Sequence, residues 1–260
     1  MMMLDRRRRR LLSKEEAETI QNSYKRITEE MGELEPLLWR MFVALLKLAG
    51  PILFLSLQVS SVATARDVAA RKSVGSLSPL PNITLFTNCV VWTTYGWLKR
   101  DGTIFIPNLC GIISSVYCVV LFHLHSTAKP TKSYALSLLI CVIIGYLAFV
   151  GDGSNIGLIG CVLSVLFTAS PLAVVRTVIK DKSTASLPFF TSLVIWFNTT
   201  SWLFYGYLVA DDVLIWGPNV LGFGLATLQM CLFSVYGTGK SLEPKPRNRV
   251  VGKIAAHHEV

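Results

Sequence analysis

The sequence predicts an all-α membrane protein with seven transmembrane helices, arranged as two parallel three-helix bundles joined by a linker helix. Three observations lead to this fold class. The composition is 52% hydrophobic and only 16% charged, whereas a soluble domain carries about 25% charged residues. From Met41 onward, apolar runs recur at about the 20-residue length that crosses the hydrocarbon of a bilayer. Two stretches of the chain also match each other when one is shifted by 110 residues.

The predicted spans are joined by short connections. They lie at about 42–65, 79–98, 103–124, 133–150, 154–176, 188–209 and 213–236. The chain then divides into an N-terminal polar and basic extension (1–40), a first three-helix repeat (41–127), a linker helix (128–152), a second three-helix repeat (153–237) and a cytosolic tail (238–260). Within the extension, residues 13–38 are rich in helix formers and predict an amphipathic or loosely ordered helix outside the membrane.

The basic residues indicate membrane orientation rather than a nucleic-acid surface. The formal net charge is +9, but beyond the extension the Lys and Arg residues are spread over short loops and the tail. Their excess on one side places the C-terminus in the cytosol, and the arginine run at 6–10 lies too far from the first span to decide orientation. We therefore expect no nucleic-acid partner. The plasma membrane and the Golgi or another endomembrane remain open as locations, as does homo-oligomerisation.

No catalytic or metal-binding constellation is evident in the sequence. The six cysteines lie inside apolar runs, where a thiol packs as a small hydrophobe, and their spacing does not suggest a metal site. No histidine has a Ser, Asp or Glu at a spacing that would form a nucleophile. The spans contain essentially no carboxylates, which disfavours coupling to protons or cations. We expect no enzyme activity, no cofactor and no metal.

The internal repeat is supported by a set of matched residues that two apolar segments of similar composition would not share by chance. KSVGSL at 72–77 matches KSTASL at 182–187. The same shift pairs Asn88 with Asn198, Trp92 with Trp202, Tyr95 with Tyr205, Gly96 with Gly206 and Asp101 with Asp211, and a shift of 111 pairs Pro107 and Asn108 with Pro218 and Asn219. Because each unit has an odd number of spans, the additional span at 133–150 returns the second unit to the direction of the first. Such parallel repeats are related by an axis along the membrane normal.

Buried amides and indoles are the candidate ligands of a cavity on that axis. They are Asn88, Asn108, Asn198, Asn219, Trp92 and Trp202. Amides donate to and accept from hydroxyls, and an indole face can cover the apolar face of a sugar ring. Hydrogen bonding between helices explains a lone intramembrane asparagine more simply, but the symmetric recurrence favours a cavity for a neutral sugar.

These motifs resemble those of the SWEET sugar transporters over roughly residues 45–236. The resemblance rests on KS-x-x-SL, on N-x3-W-x2-YG in the second and sixth spans, and on PN-x2-G in the third and seventh. It implies that Asn108 and Asn219 bind the sugar and that the other four candidate ligands line the pocket. It also implies that Tyr95 and Asp211 form an extracellular gate.

The resemblance further implies four hinge prolines near the cytosolic side. Pro81, Pro171 and Pro188 match three of them, and Ser61 stands at the fourth position, in the first span. A proline frees backbone carbonyls in a helix and can act as a hinge. Because Ser61 replaces the proline, the sequence does not decide whether the first span contains a hinge.

The function that we expect is facilitative, bidirectional uniport of mono- or disaccharides down their gradient by alternating access. An amino-acid carrier of the lysosomal PQ-loop type is an alternative, although this sequence has Ser61-Val62 and Pro171-Leu172 where that family has Pro-Gln. A seven-span receptor is another, against which the tandem repeat and short loops argue. Pocket volume is expected to depend on Leu57 and Phe167.

Overall fold

A computed structural model of the chain describes residues 14–127, 129–167 and 169–238. These residues form α1 (Lys14–Arg71), α2 (Leu80–Lys99), α3 (Gly102–His125), α4 (Thr131–Phe149), α5 (Gly153–Phe167), α6 (Ala169–Asp181), α7 (Phe189–Phe204) and α8 (Val213–Tyr236), with a π-helical turn at Tyr205–Val209. The all-α prediction is confirmed, and no strand occurs within the described ranges. The arginine run at 6–10 and most of the C-terminal tail lie outside them.

Every predicted span coincides with helical structure. Four described helices are long and apolar enough to cross a bilayer, namely Leu34–Arg71, α3, α4 and α8. The predicted second span is α2, the fifth is divided between α5 and α6, and the sixth consists of α7 and the π-helical turn. The polar helix predicted at 13–38 and the first predicted span both fall within α1.

Contacts divide the chain into two units, with the boundary between Leu48 and Ala49. In the first unit the described apolar side chains are largely exposed, among them Leu38, Met41 and Leu45. The rings of Trp39 and Phe42 lie 5.9 Å apart, centroid to centroid. Such a surface suits lipid, which accepts apolar side chains that water would reject.

In the second unit, helices of both sequence repeats share a buried core near the connection from α2 to α3. Its buried members are Val91, Tyr95, Ile104, Ile144, Ile156, Tyr205 and Ile215. The linker helix α4 packs against α2 and α5, and the hydroxyls of Thr87 in α2 and Ser137 in α4 lie 2.7 Å apart. This core therefore holds the two repeats and the linker helix together.

Two smaller cores show that the repeat seen in the sequence is also a repeat in packing. The first joins Ala65 and Val68 of α1 to Cys118 and Phe122 of α3. The second joins Val175 and Val178 of α6 to Leu232 and Phe233 of α8. Ala65 and Val175, Val68 and Val178, and Phe122 and Phe233 correspond under the shift of 110 or 111 residues that aligns the motifs.

A glycine in each repeat permits a close crossing of two helices. A Cβ atom on Gly96 of α2 would lie 2.8 Å from the backbone nitrogen of Phe105 in α3. A Cβ atom on Gly206, in the π-helical turn, would lie 2.7 Å from the backbone nitrogen of Trp216 in α8. Only glycine allows backbones to approach so closely. This explains why the Tyr-Gly pair recurs in the sequence.

Candidate functional site

A cavity of about 750 Å³ lies within the second unit. Residues of α1, α2, α3, α5, α7 and α8 form its walls. All six predicted ligands line it: Asn88, Asn108, Asn198, Asn219, Trp92 and Trp202. The structure thus brings the asparagines and tryptophans of both sequence repeats around one space, and Leu57 of α1 lines it as well.

The asparagines of α3 and α8 are held in equivalent ways. The Nδ2 atom of Asn108 donates a hydrogen bond of 2.8 Å to the carbonyl of Ile104, and Nδ2 of Asn219 donates one of 2.8 Å to the carbonyl of Ile215. Each bond returns to the preceding turn of the same helix and fixes the plane of the amide. An amide has two N–H donors and a carbonyl acceptor, so each retains capacity for a further partner.

A hydrogen-bond chain fixes the two predicted ligands of α2, Trp92 and Asn88. The indole Nε1 of Trp92 donates to the hydroxyl of Ser164 in α5 at 3.3 Å, and that hydroxyl donates to Oδ1 of Asn88 at 3.4 Å. Ser164 also lines the cavity. The sequence carries no signal that would single out this serine, because it lies in an apolar run outside the repeated motifs.

The equivalent residues of α7, Asn198 and Trp202, have different surroundings. Oδ1 of Asn198 is buried and has no hydrogen-bond partner among the described residues. A Cβ atom on Gly50 of α1 would lie 3.0 Å from the indole ring of Trp202, so the glycine lets that ring pack against the helix. A buried acceptor without a partner is destabilising by about 1–3 kcal/mol.

Two tyrosine–carboxylate hydrogen bonds connect the repeats at one end of the bundle. The hydroxyl of Tyr95 donates to Oδ2 of Asp212, and the hydroxyl of Tyr205 donates to Oδ2 of Asp101 at 2.6 Å. Tyr95 is 0% and Tyr205 3% exposed. Nζ of Lys99 lies 3.3 Å from the same Asp212 oxygen.

These tyrosines pack directly on the tryptophans of the cavity. Trp92 and Tyr95 meet edge to face with ring centroids 5.6 Å apart, and Trp202 and Tyr205 do so at 5.7 Å. Edge-to-face contacts of this kind are favourable for aromatic pairs. In this conformation the tyrosines and carboxylates therefore cap the end of the cavity beyond the two indoles.

The carboxylate that Tyr95 contacts is Asp212 rather than the Asp211 predicted from the sequence. Asp211 is exposed and its backbone is left-handed, with φ of 48°. Arg100 has the same conformation, with φ of 54°. The structure therefore aligns Asp211 with Arg100, and Asp212 with Asp101. Asp101 and Asp212 each cap the helix that follows. Asp101 accepts a hydrogen bond from the backbone N–H of Thr103, and Asp212 accepts one from the backbone N–H of Leu214.

The π-helical turn explains why the sequence paired Asp101 with Asp211 rather than with Asp212. The backbone N–H of Asp101 donates to the carbonyl of Gly96 at 2.8 Å, and that of Asp212 donates to the carbonyl of Gly206 at 2.9 Å. The second repeat has one more residue between glycine and aspartate than the first. A π-helical turn accommodates one extra residue within a helix. The sequence shows that the offset between the two repeats changes from 110 to 111 residues, but it does not show at which residue the change occurs.

The predicted hinge residues are dispersed. Ser61 of α1 and Pro81 of α2 line the cavity. Pro188 lies at the N-cap of α7, with φ of −76°, and is not among the residues that line the cavity. The backbone of Pro171 belongs to α6, but its side chain and that of Phe167 lie outside what the structure describes. The hinge roles stay predictions.

Comparison with known proteins matches both repeats to one family. A family model described as "Sugar efflux transporter for intercellular exchange" matches residues 44–130 and again residues 154–241. The two matched segments contain all six asparagines and tryptophans that were predicted as ligands and that line the cavity. They also contain Tyr95, Asp101, Tyr205 and Asp212 of the capped end.

Individual proteins give the same result over most of the chain. The sugar transporter SWEET1 of Drosophila pseudoobscura pseudoobscura is 30% identical over 187 residues, which cover 68% of this chain and 82% of that protein. The bidirectional sugar transporter SWEET1 of Arabidopsis thaliana is 32% identical over 187 residues, covering 66% and 74%. A solved structure of a eukaryotic SWEET transporter superposes with a TM-score of 0.68 at 25% identity, covering 76% of this chain and 98% of that one.

Proposed function

The chain belongs to the family of sugar efflux transporters for intercellular exchange, and we propose that it is a facilitative, bidirectional uniporter of neutral mono- or disaccharides. Relatives of similar sequence are named bidirectional sugar transporters. A transporter of this type moves its solute down the concentration gradient by exposing a central site to each side of the membrane in turn. The protein is therefore a transporter and not an enzyme.

The chemistry of the cavity wall is the observation that carries this proposal. Among the described residues that line the cavity, none is Asp, Glu, Lys or Arg. The polar groups there are amides and hydroxyls, which exchange hydrogen bonds with sugar hydroxyls in both directions. The volume of about 750 Å³ falls within the range of small-molecule sites. A wall of this kind suits a solute that has many hydroxyls and no charge.

We assign sugar binding to the symmetric residues of the cavity. Asn108 and Asn219 present equivalent amides from the two repeats, and Asn88 and Asn198 add a second amide pair. The indole faces of Trp92 and Trp202 would cover the apolar C–H faces of the sugar. Because the indoles lie directly under the capped end, we place the sugar against them while that end is closed.

Opening of the capped end requires that the two tyrosine–carboxylate hydrogen bonds break. One joins Tyr95 to Asp212 and the other joins Tyr205 to Asp101. Each bond runs from one repeat to the other, so separation of the repeats at this end breaks both together. We propose that these four residues form the outer gate, with the C-terminus in the cytosol of a plasma-membrane or Golgi protein. The positive-inside distribution of loop charges supports that orientation.

Transport by the purified protein tests this proposal. We expect proteoliposomes that contain the protein to take up labelled glucose, fructose, galactose or sucrose and to show counterflow without an ion gradient. Asn108→Ala and Asn219→Ala should each lower the uptake at least about tenfold, since each removes hydrogen bonds to the sugar. Asn155→Ala is the matched control, because Asn155 is exposed and lies outside the cavity.

The possible outcomes separate the parts of the proposal. Uptake that is insensitive to both cavity variants would rule out the assigned site. A steep dependence on pH or Na⁺ would rule out uniport. Failure of the purified protein to move any neutral sugar would rule out the function and would return the amino-acid carrier and the receptor to consideration.

A further inference from the structure

Gln58 of α1 is a buried amide whose donor nitrogen has no partner. Its side chain is 6% exposed and lines the cavity. The Nε2 atom has no hydrogen-bond partner in the part of the chain that the structure describes. A buried donor left unpaired is destabilising by about 1–3 kcal/mol. An apolar side chain of similar size would fill the same space without that penalty.

The amide of Gln58 packs against α3, the helix that carries Asn108, one of the assigned sugar ligands. A Cβ atom on Gly111 of α3 would lie 3.3 Å from Nε2 of Gln58 and 2.5 Å from Sγ of Cys89. The Gln58 amide therefore reaches the backbone of α3 at a glycine, where no side chain separates the two. Gly111 follows Asn108 by three residues, which puts both on the same face of α3. The unpaired donor thus lies against the face of α3 that also carries Asn108.

A buried unpaired polar atom can also occur without any ligand. The hydroxyl oxygen of Thr93 in α2 is buried and unpartnered within the described ranges too, but Thr93 does not line the cavity. Gln58 differs because burial, lack of a partner and position in the cavity wall coincide at a single donor. Because Nε2 itself is enclosed, the amide has to turn toward the cavity before an acceptor on a bound solute can satisfy this donor.

We propose that Gln58 is a specificity-determining residue that donates a hydrogen bond to one hydroxyl oxygen of the transported sugar. The inference rests on the proposed transport of neutral sugars and deepens it by adding a ligand from α1. Recognition by Gln58 is directional, because Nε2 can donate but cannot accept. It therefore selects for an acceptor at one position of the sugar ring.

A deoxysugar scan on two proteins tests this assignment. Wild-type protein and Gln58→Met, which keeps the length of the side chain and removes the donor, are reconstituted and assayed with the transported sugar and its monodeoxy analogues. In the wild type, one analogue should show an apparent affinity about tenfold lower than the parent sugar. In Gln58→Met, the apparent affinity for the parent sugar should fall to the affinity for that analogue. The difference between the two sugars should then disappear. Thr93→Val is the control, since it removes an unpartnered hydroxyl outside the cavity and should leave the scan unchanged.

The outcomes distinguish this inference from the transport proposal. If wild type and Thr93→Val move sugar but Gln58→Met shows the same deoxysugar profile, Gln58 does not contact the sugar. If wild type moves no neutral sugar, both the proposed function and this inference fail. If Gln58→Met does not fold, Gln58→Leu replaces it. A wild-type protein that treats every deoxy analogue like the parent sugar contradicts the inference without any variant.

Discussion

The hydroxyl of Tyr205 lies 2.6 Å from a carboxylate oxygen of Asp101, across the two sequence repeats. Tyr95 and Asp212 form the equivalent contact from the other side. The two contacts are not identical, because Lys99 lies 3.3 Å from Asp212, whereas the residue before Asp211, which aligns with Arg100, is Ala210 in the second repeat. Asp212 therefore has a cation beside it as well as its tyrosine.

Loss of the Tyr205 hydroxyl should weaken the capped end. Tyr205→Phe keeps the ring on Trp202 but leaves Asp101 without its tyrosine donor, and hydrogen bonds to charged groups contribute about 1.5–3 kcal/mol. We expect the Tm of the purified protein in detergent to fall by about 3–9 °C. Tyr207→Phe is the control, because Tyr207 is 60% exposed and its edge-to-face contact with Trp216 needs only the ring. Equal Tm values for the two variants would contradict a stabilising role for the Asp101 contact.

The π-helical turn at Tyr205–Val209 makes an unusual deletion tolerable. Removal of Leu208 leaves the same spacing between Gly206 and Asp212 that the first repeat has between Gly96 and Asp101. We expect this variant to fold, to keep its Tm within a few degrees of wild type and to retain sugar uptake, since a π-helical turn holds one surplus residue.

Removal of Leu203 from α7 is the matched control for that deletion. It rotates the preceding α-helix by about 100° relative to the turn, and it should turn Asn198 and Trp202 away from the cavity and abolish uptake. Comparable loss of fold in both deletion variants would show that the π-helical turn is required for the packing of α7 on α8.

Because two helices cross closely at Gly206, a side chain at this position should lower the stability of the protein. Gly206→Ala would place Cβ 2.7 Å from the backbone nitrogen of Trp216, and a backbone atom cannot move aside without shifting α8. Overpacking of this kind is destabilising by about 1–3 kcal/mol. In contrast, a Cβ atom on Gly224 of α8 would meet nothing within 4 Å, and alanine favours a helix over glycine by about 0.5–1 kcal/mol. Thermal unfolding should rank Gly224→Ala at or above wild type and Gly206→Ala below it, and the reverse order would contradict the crossing geometry.

Much of this architecture follows from sequence because the repeat leaves two copies of every signal. Each Tyr-Gly pair marks a helix crossing, and each Pro-Asn pair places an amide on the cavity wall. The carboxylate that Tyr95 contacts is Asp212, whereas residue counting pointed to Asp211, and this difference has a physical reason. One extra residue can enter a helix as a π-helical turn anywhere between two matched motifs, so counting residues cannot tell Asp211 from its neighbour Asp212.

Residues that have no counterpart in the other repeat could not be found by comparing the two repeats. Ser164 connects Trp92 to Asn88 by hydrogen bonds, yet it lies in an apolar run outside the repeated motifs. Gln58 lies in α1, whose sequence carries no motif shared with the second repeat. The functional importance of such residues depends on which helix face meets the cavity, and tertiary packing decides this.

The buried acceptor on Asn198 predicts opposite effects of one substitution on stability and on transport. Oδ1 of Asn198 has no hydrogen-bond partner among the described residues, so Asn198→Leu removes an unsatisfied group and should raise the Tm of the sugar-free protein by about 2–4 °C. Sugar uptake should fall at least about tenfold, since the acceptor for a sugar hydroxyl is lost. Asn88→Leu is the matched control, because Oδ1 of Asn88 accepts from Ser164 and its loss leaves that serine without an acceptor. Asn88→Leu should therefore lower both Tm and uptake. If Asn198→Leu lowers the Tm as Asn88→Leu does, the Asn198 oxygen is already satisfied in the sugar-free protein and is not reserved for the solute.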